Sequence, residues 1–113
     1  MIIWIMRKLN VYVNNRLAGA LVEELPGAGY SFKYDSDYLL SDDPPISVSL
    51  PKSKEFYESS VLFPFFSNML PEGANRRVIC RSGRIDENDL FGLLAAMDGK
   101  DFIGGVHIKT SSK

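Results

Sequence analysis

The sequence has few side chains that could carry out acid–base or nucleophilic chemistry. Its one histidine, His107, lies in an alternating apolar and polar stretch, and its one cysteine, Cys80, lies on the apolar side of a predicted helix. General acid–base catalysis needs titratable groups that converge, and a structural zinc site needs about four ligands. We therefore interpret His107 as a strand-surface residue and Cys80 as a small core residue. The alternative for Cys80 is a reactive thiol activated by neighbouring arginines.

Two further motifs resemble ligand sites only superficially. Four aspartates lie close together: Asp35, Asp37, Asp42 and Asp43. They lack the glycine and glutamate spacing of a calcium-binding EF-hand loop, so we interpret them as solvated turns. Gly104 and Gly105 lack the spacing of a phosphate-binding loop and are typical of a turn. The sequence thus predicts no catalytic residue, no metal, no cofactor and no enzyme.

The charge composition limits the classes of partner that the chain is expected to bind. Thirteen Lys and Arg against fourteen Asp and Glu give a net charge of −1, which argues against direct nucleic-acid binding, although an arginine patch after residue 75 remains. A single cysteine cannot form an intramolecular disulfide, which suits the cytoplasm. No apolar run approaches the roughly 18–20 residues of a membrane-spanning helix. We expect one domain over residues 1–113 with its core at about 7–109.

The pattern along the chain predicts strands first and helices later. Period-2 alternation predicts strands at residues 9–13, 30–34, 46–50 and 106–108, and residues 17–22 are predicted to be the return strand of an N-terminal hairpin. Asn14-Asn15 predicts a tight hairpin turn, and Gly19 predicts a bulge or a close backbone approach. The fold class is α+β: a small antiparallel sheet of about five strands, made of an N-terminal hairpin, two further strands and one C-terminal strand, packed against two to three short helices.

Helix signals follow the fourth predicted strand. One helical turn is expected at residues 38–40. Ser59 and Ser60 could cap a helix. This helix should begin near Pro64, because a helix tolerates proline only in its first turn. A second helix is predicted over residues 74–81, with Gly83 as its C-cap residue. A third is predicted to start at Asp86 or Asn88 and to end at Gly99.

The aromatic stretch at residues 63–66 joins the two halves of the chain. Phe66, Met69 and Leu70 are predicted to lie in the core. Adjacent helical residues point about 100° apart, so three phenylalanines in four positions cannot all face inward. We therefore expect Phe63 or Phe65 to face outward, where an exposed aromatic side chain can anchor a protein interface.

Five stretches, taken together, resemble the N-terminal subdomain of HipA-type serine/threonine kinases. They are SFKY at 31–34, ISVSLP at 46–51, FFSNMLPEG at 65–73, DLFGLL at 89–94 and IGGV at 103–106. Their order and spacing match the family from about Leu9 to Ile108. In that family the ATP-binding and catalytic segments follow this subdomain, so the resemblance implies a stand-alone subdomain similar to the HipS-like proteins of three-component toxin–antitoxin systems.

This resemblance implies an antitoxin role. The chain is expected to bind and inhibit a separately encoded HipT- or HipA-like serine/threonine kinase toxin. The partner-binding residues would be Phe63, Phe65, Glu72, Asn75 and Arg76. The alternative is a structural or activating N-terminal subunit of a split HipA-like kinase that takes part in a repressor complex with a HipB-like DNA-binding protein.

Overall fold

An antiparallel sheet forms one layer of the protein in the computed structural model, which describes residues 6–98 and 105–110. Its strands are β1 (Arg7–Val13), β2 (Arg16–Leu25), β3 (Gly29–Tyr34), β4 (Phe56–Ser59) and β5 (Val106–Thr110). Their order across the sheet is β4-β3-β2-β1-β5, and each neighbouring pair is antiparallel. The helices are α1 (Ser36–Leu40), α2 (Pro64–Ser67), α3 (Gly73–Gly83) and α4 (Leu90–Ala95). The predicted α+β class with a five-stranded sheet is confirmed.

The N-terminal hairpin forms as its sequence predicts. Asn14 and Asn15 both adopt positive φ, at 50° and 69°, as two-residue hairpin turns require. The β1–β2 register shifts between Val11 and Tyr12, opposite Gly19. A Cβ on Gly19 would lie 2.4 Å from the carbonyl oxygen of Lys33 on β3. Glycine at this position therefore allows both the bulge and the close approach of β3.

The prediction of a fourth strand at residues 46–50 is wrong. Residues 46–50 form a turn-rich loop, and the fourth strand is instead Phe56–Ser59. The loop is anchored at Ile46 and Leu50, which are buried, whereas Val48 is 95% exposed. Prolines flank the segment and cannot donate to a sheet. The Leu50 N–H instead bonds the carbonyl oxygen of Ser47 at 3.0 Å.

Some helix ends also differ from the prediction. Ser59 ends β4, and α2 starts at Pro64 with Phe63 as its N-cap. The α3 C-cap is Arg84, which adopts φ 55°, rather than Gly83. Asp89 is the N-cap of α4, in place of Asp86 or Asn88. Helix α4 ends at Ala95, and the predicted end at Gly99 lies outside the described residues, as does most of the glycine turn at 101–105.

The two faces of the sheet differ in burial. On one face, Leu9 pairs with Leu21 and Leu21 pairs with Phe32, and all three side chains are buried. This face joins the helices in one core, to which Phe66, Phe91, Leu93 and Leu94 contribute. On the other face, Lys8 and Lys33 are exposed. Within residues 6–98 and 105–110, no helix is long and apolar enough to cross a membrane.

Candidate functional site

The candidate catalytic residues do not come together in a reactive arrangement. His107 is half-buried on β5 and pairs across the strand with Tyr12 on β1. Cys80 lies on α3 with 4% of its surface exposed, which confirms its prediction as a core residue. A thiol this enclosed is poorly placed for attack on a substrate.

The acidic cluster serves the local structure. An Asp35 side-chain oxygen accepts a hydrogen bond from the Asp37 N–H and caps α1. Asp43 forms an ion pair with Arg16 at 2.9 Å. In the part of the chain that the structure describes, no group of three or more His, Cys, Asp or Glu side chains could hold a metal.

A polar network absent from the predictions links three elements. Arg7 on β1 donates from Nε to Glu23 on β2 at 2.7 Å. Its two terminal nitrogens donate to the two carboxylate oxygens of Asp89 at 2.9 and 2.7 Å. The guanidinium lies 5.1 Å from the ring centroid of Phe91. Glu23 is only 3% exposed, so Arg7 supplies the partner that a buried carboxylate requires.

These contacts shift the ionisation of the groups involved. The hydrogen bonds from Arg7 hold the pKa of Asp89 below its ordinary value, since they favour the charged carboxylate. The same hydrogen bonds raise the pKa of Arg7. Asp89 also accepts a hydrogen bond from the Gly92 N–H at 3.0 Å and thereby caps α4. The network holds α4 against the sheet, and the sequence pattern did not indicate it, because the strand predicted at residues 17–22 ends before Glu23 while β2 continues to Leu25.

The aromatic segment places its three phenylalanines differently. Phe66 is fully buried and contacts the rings of Phe32, Phe63 and Phe65, with centroids 6.0, 6.5 and 5.1 Å away. Leu70 is also buried and Met69 is half-buried against the core. The predictions for Phe66 and Leu70 are confirmed. Phe63 is only 7% exposed, so the expectation that it could face outward is wrong.

Phe65 is the phenylalanine of this segment that reaches solvent. It is half-buried on the single turn of α2, with its ring edge-on to Phe66 at an interplanar angle of 78°. Pro64, which precedes it in sequence, is exposed, and Val61, four residues before it, is 63% exposed. Phe63 precedes the helix as its N-cap, and this position turns its side chain into the core.

The other predicted partner-binding residues lie around the corner between α2 and α3. Glu72 is the N-cap of α3, and Asn75 lies in its first turn; both are exposed. Among the described residues, neither side chain forms a hydrogen bond or an ion pair. Arg76 differs, because its Nε donates to the carbonyl oxygen of Pro71 at 2.8 Å. Arg76 is half-buried, so its guanidinium braces the corner and is not freely presented as expected.

Comparison with known proteins identifies the family to which the chain belongs. The sequence matches the HipA N-terminal domain family over residues 9–109. The chain belongs to the HipA N-terminal domain family. The resemblance carried by the five sequence stretches is thereby confirmed. The family match covers the N-terminal domain, which is not the kinase catalytic domain.

Individual HipA N-terminal domain relatives agree with this assignment. A solved structure, the N-terminal domain of HipA toxin, superposes with a TM-score of 0.72 and 27% identity over 100% of this chain and 99% of that one. An uncharacterized protein of Haemophilus influenzae is 31% identical over 93% of both chains. The "Putative kinase Y4mE" of Sinorhizobium fredii is 30% identical over 91% of this chain, but this chain spans only 24% of that protein.

Proposed function

We propose that this HipA N-terminal domain is a non-catalytic binding module that binds and inhibits a separately encoded HipT- or HipA-like serine/threonine kinase. The observation that carries the proposal is the extent of the family match, which covers residues 9–109 but only the N-terminal domain of the family. The Haemophilus influenzae relative supports the proposal because 93% of that protein aligns with this chain. The corresponding cellular role is that of a cytoplasmic antitoxin.

The proposed contact surface is centred on Phe65. Its ring packs edge-on against the buried Phe66 ring, and only the part of its surface that remains exposed is available to a partner. Glu72 and Asn75 add exposed polar groups at the start of α3. A rigid aromatic side chain with polar neighbours is the composition of an interface anchor. Arg76 contributes by holding the backbone at Pro71.

The decisive experiment mixes the purified chain with the kinase encoded by the neighbouring reading frame. We expect a stable complex and reduced kinase autophosphorylation. Phe65→Ala should weaken binding by about tenfold or more. Phe56→Ala is the matched control, since Phe56 is an exposed phenylalanine, 41% exposed, on the edge strand β4. Equal effects of the two substitutions, or no complex at all, would contradict the proposal.

The second candidate is a structural or activating subunit of a split HipA-like kinase, in a repressor complex with a HipB-like DNA-binding protein. The observation that favours it is the match to a kinase-named protein of which this chain spans 24%. The same assay separates the candidates by sign, because an activating subunit raises autophosphorylation where an inhibitor lowers it.

A further inference from the structure

Helix α3 turns one side toward the core. Cys80 is buried and Ile79 is half-buried against the core, while Arg76 is half-buried with its Nε held by Pro71. Successive helical residues are about 100° apart, so these three residues define a single inward side. The opposite side of an 11-residue helix is thereby left to solvent.

The outward side of α3 combines arginine with aliphatic side chains. Its members, hereafter the α3 outer face, are Ala74, Arg77, Val78 and Arg81, all of them exposed. Val78 is 62% exposed. Ala74 and Val78 are four residues apart, as are Arg77 and Arg81, so the face holds one aliphatic row beside one cationic row.

The cationic row has no ion-pair partner among the residues that the structure describes. Neither the Arg77 side chain nor the Arg81 side chain forms a hydrogen bond or an ion pair with any residue that the structure describes. By contrast, Arg7 and Arg16 are each paired with an aspartate. Like charges four residues apart weaken an isolated helix. The face therefore carries an unfavourable charge pair that a partner with carboxylates would relieve.

The chemistry of the face favours an acidic protein surface over nucleic acid. Val78 and Ala74 offer apolar contact area, which a phosphate backbone does not use. Asp86 and Glu87 line the same surface depression as Arg77 and Arg81, but neither carboxylate forms an ion pair with those arginines. A net charge of −1 also opposes nucleic-acid binding. Arginine with aliphatic neighbours is instead typical of protein interfaces, where a guanidinium binds a carboxylate through two hydrogen bonds.

We propose that the α3 outer face is a second docking surface, which binds an acidic segment of the partner kinase. Carboxylates of that segment bind Arg77 and Arg81, and its aliphatic side chains cover Val78. This inference rests on the proposed function for the identity of the partner. It adds a contact whose strength depends on salt, beside the apolar contact made by Phe65.

The test compares two charge reversals in the full chain bound to the kinase from the neighbouring reading frame. Arg77→Glu with Arg81→Glu alters the α3 outer face. Lys8→Glu with Lys109→Glu is the matched control on the opposite sheet face, where both lysines are exposed. Each double reversal removes four charge units and shifts the net charge from −1 to −5. Binding is measured at several salt concentrations, and circular dichroism verifies the fold of each variant.

The expected result is specific to α3. The arginine reversal should weaken binding about tenfold or more and flatten its salt dependence, while the lysine reversal changes it less than about threefold. If the charge reversal unfolds the helix, Arg77→Gln with Arg81→Gln replaces it, because this variant adds no negative charge beside Asp86 and Glu87. Arg77→Lys with Arg81→Lys should recover part of the affinity, because lysine keeps the charge without the planar fork.

Each other outcome overturns the inference in a recognisable way. If the wild-type chain binds the kinase but both reversals weaken binding equally, the net charge of the chain and not the α3 outer face explains the loss of affinity. If the arginine reversal has no effect while Phe65→Ala weakens binding, the proposed function stands and the α3 contact is wrong. If duplex DNA binds with steep salt dependence that the arginine reversal removes, and kinase binding is unchanged, the face recognises phosphate. If the wild-type chain does not bind the kinase, both proposals fail.

Discussion

A single guanidinium, that of Arg7, contacts residues from three parts of the chain. It bonds Glu23 on the neighbouring strand and Asp89 at the start of α4, and it lies against the Phe91 ring. Burying the Glu23 carboxylate without a cation would cost free energy, and an exposed ion pair with Asp89 alone would contribute little. Together they hold a carboxylate that is 3% exposed and orient the cap of a helix. Arg7 therefore stabilises the fold by linking β2 and α4 to β1.

Asp89→Asn should separate the charge of this residue from its capping role. Asparagine still caps a helix, so the variant should lose only the ion pair, about 1 kcal/mol of unfolding free energy at pH 7, because both partners are partly solvated. Asp89→Ala should lose roughly a further 1 kcal/mol with the cap. Chemical denaturation of the two variants beside the wild type measures both values.

The pH dependence of stability gives a second readout of Asp89. Its pKa in the folded protein is lowered from 3.8 by Arg7, so its contribution is present above that value and is lost as the pH falls through the lower folded pKa. Asp89→Asn should therefore lose less stability than the wild type below about pH 4. A stability curve for Asp89→Asn that runs parallel to the wild-type curve would contradict the assigned ion pair.

At the scale of elements, tyrosine hydroxyls hold the loop between α1 and β4. The Tyr34 hydroxyl donates to the carbonyl oxygen of Leu50 and accepts from the Ile46 N–H, the latter at 3.1 Å. The Tyr38 and Tyr57 hydroxyls donate to backbone carbonyls of prolines, each at 2.6 Å. These bonds satisfy backbone groups that a strand would have paired. They explain how an alternating segment is ordered without joining the sheet.

Tyr34→Phe should destabilise the fold by about 1–3 kcal/mol, since it leaves Ile46 and Leu50 with unpaired buried backbone groups. Burial raises the pKa of Tyr34 to about 12, whereas an unfolded tyrosine titrates near 10. The folded state then holds a proton that the unfolded state releases, so wild-type stability should fall between about pH 10 and 12. Denaturation across this range should show a shallower fall for Tyr34→Phe.

At the scale of the whole molecule, the sheet and the helices share one core. Phe32 on the sheet packs against Phe66 on α2, and Tyr30 stacks on Phe91 of α4 at 6.4 Å. Neither layer can bury its apolar face alone, so the two should unfold together. The binding surfaces proposed for Phe65 and α3 lie outside this shared core and can change without removing it.

Phe66→Ala should lower the free energy of unfolding by about 3–5 kcal/mol, because it leaves a cavity where a fully buried ring stood. The transitions followed by far-ultraviolet circular dichroism and by tyrosine fluorescence should shift by the same amount. Phe65→Ala should cost clearly less, since that ring is half-buried. Separate transitions for the two probes would show that the sheet and helices do not form one cooperative unit.

Local chemistry made much of the fold predictable. Alternation predicted β1, β3 and β5, β2 was predicted as the return strand of the hairpin, and the Asn14-Asn15 turn needed only residues that tolerate positive φ. Both signals act between residues close in sequence. The segment at 46–50 carries the same alternation but is a loop, because its flanking prolines and the Tyr34 hydroxyl outweigh its local preference. Strand β4 was not predicted, because it has only four residues and its formation depends on pairing with β3.

The sequence by itself determined the fold class, the family resemblance and the aromatic segment on which the proposed function depends. Only the tertiary structure decided that Phe63 lies inside and Phe65 reaches solvent, since one helical turn with its cap does not specify which side meets the sheet. It also brought Arg7 to Asp89 across 82 positions, turned Arg76 inward and left Arg77 and Arg81 outside. The physical reason is that burial and long-range pairing depend on which surfaces meet, and sequence periodicity indicates only which residues share a face.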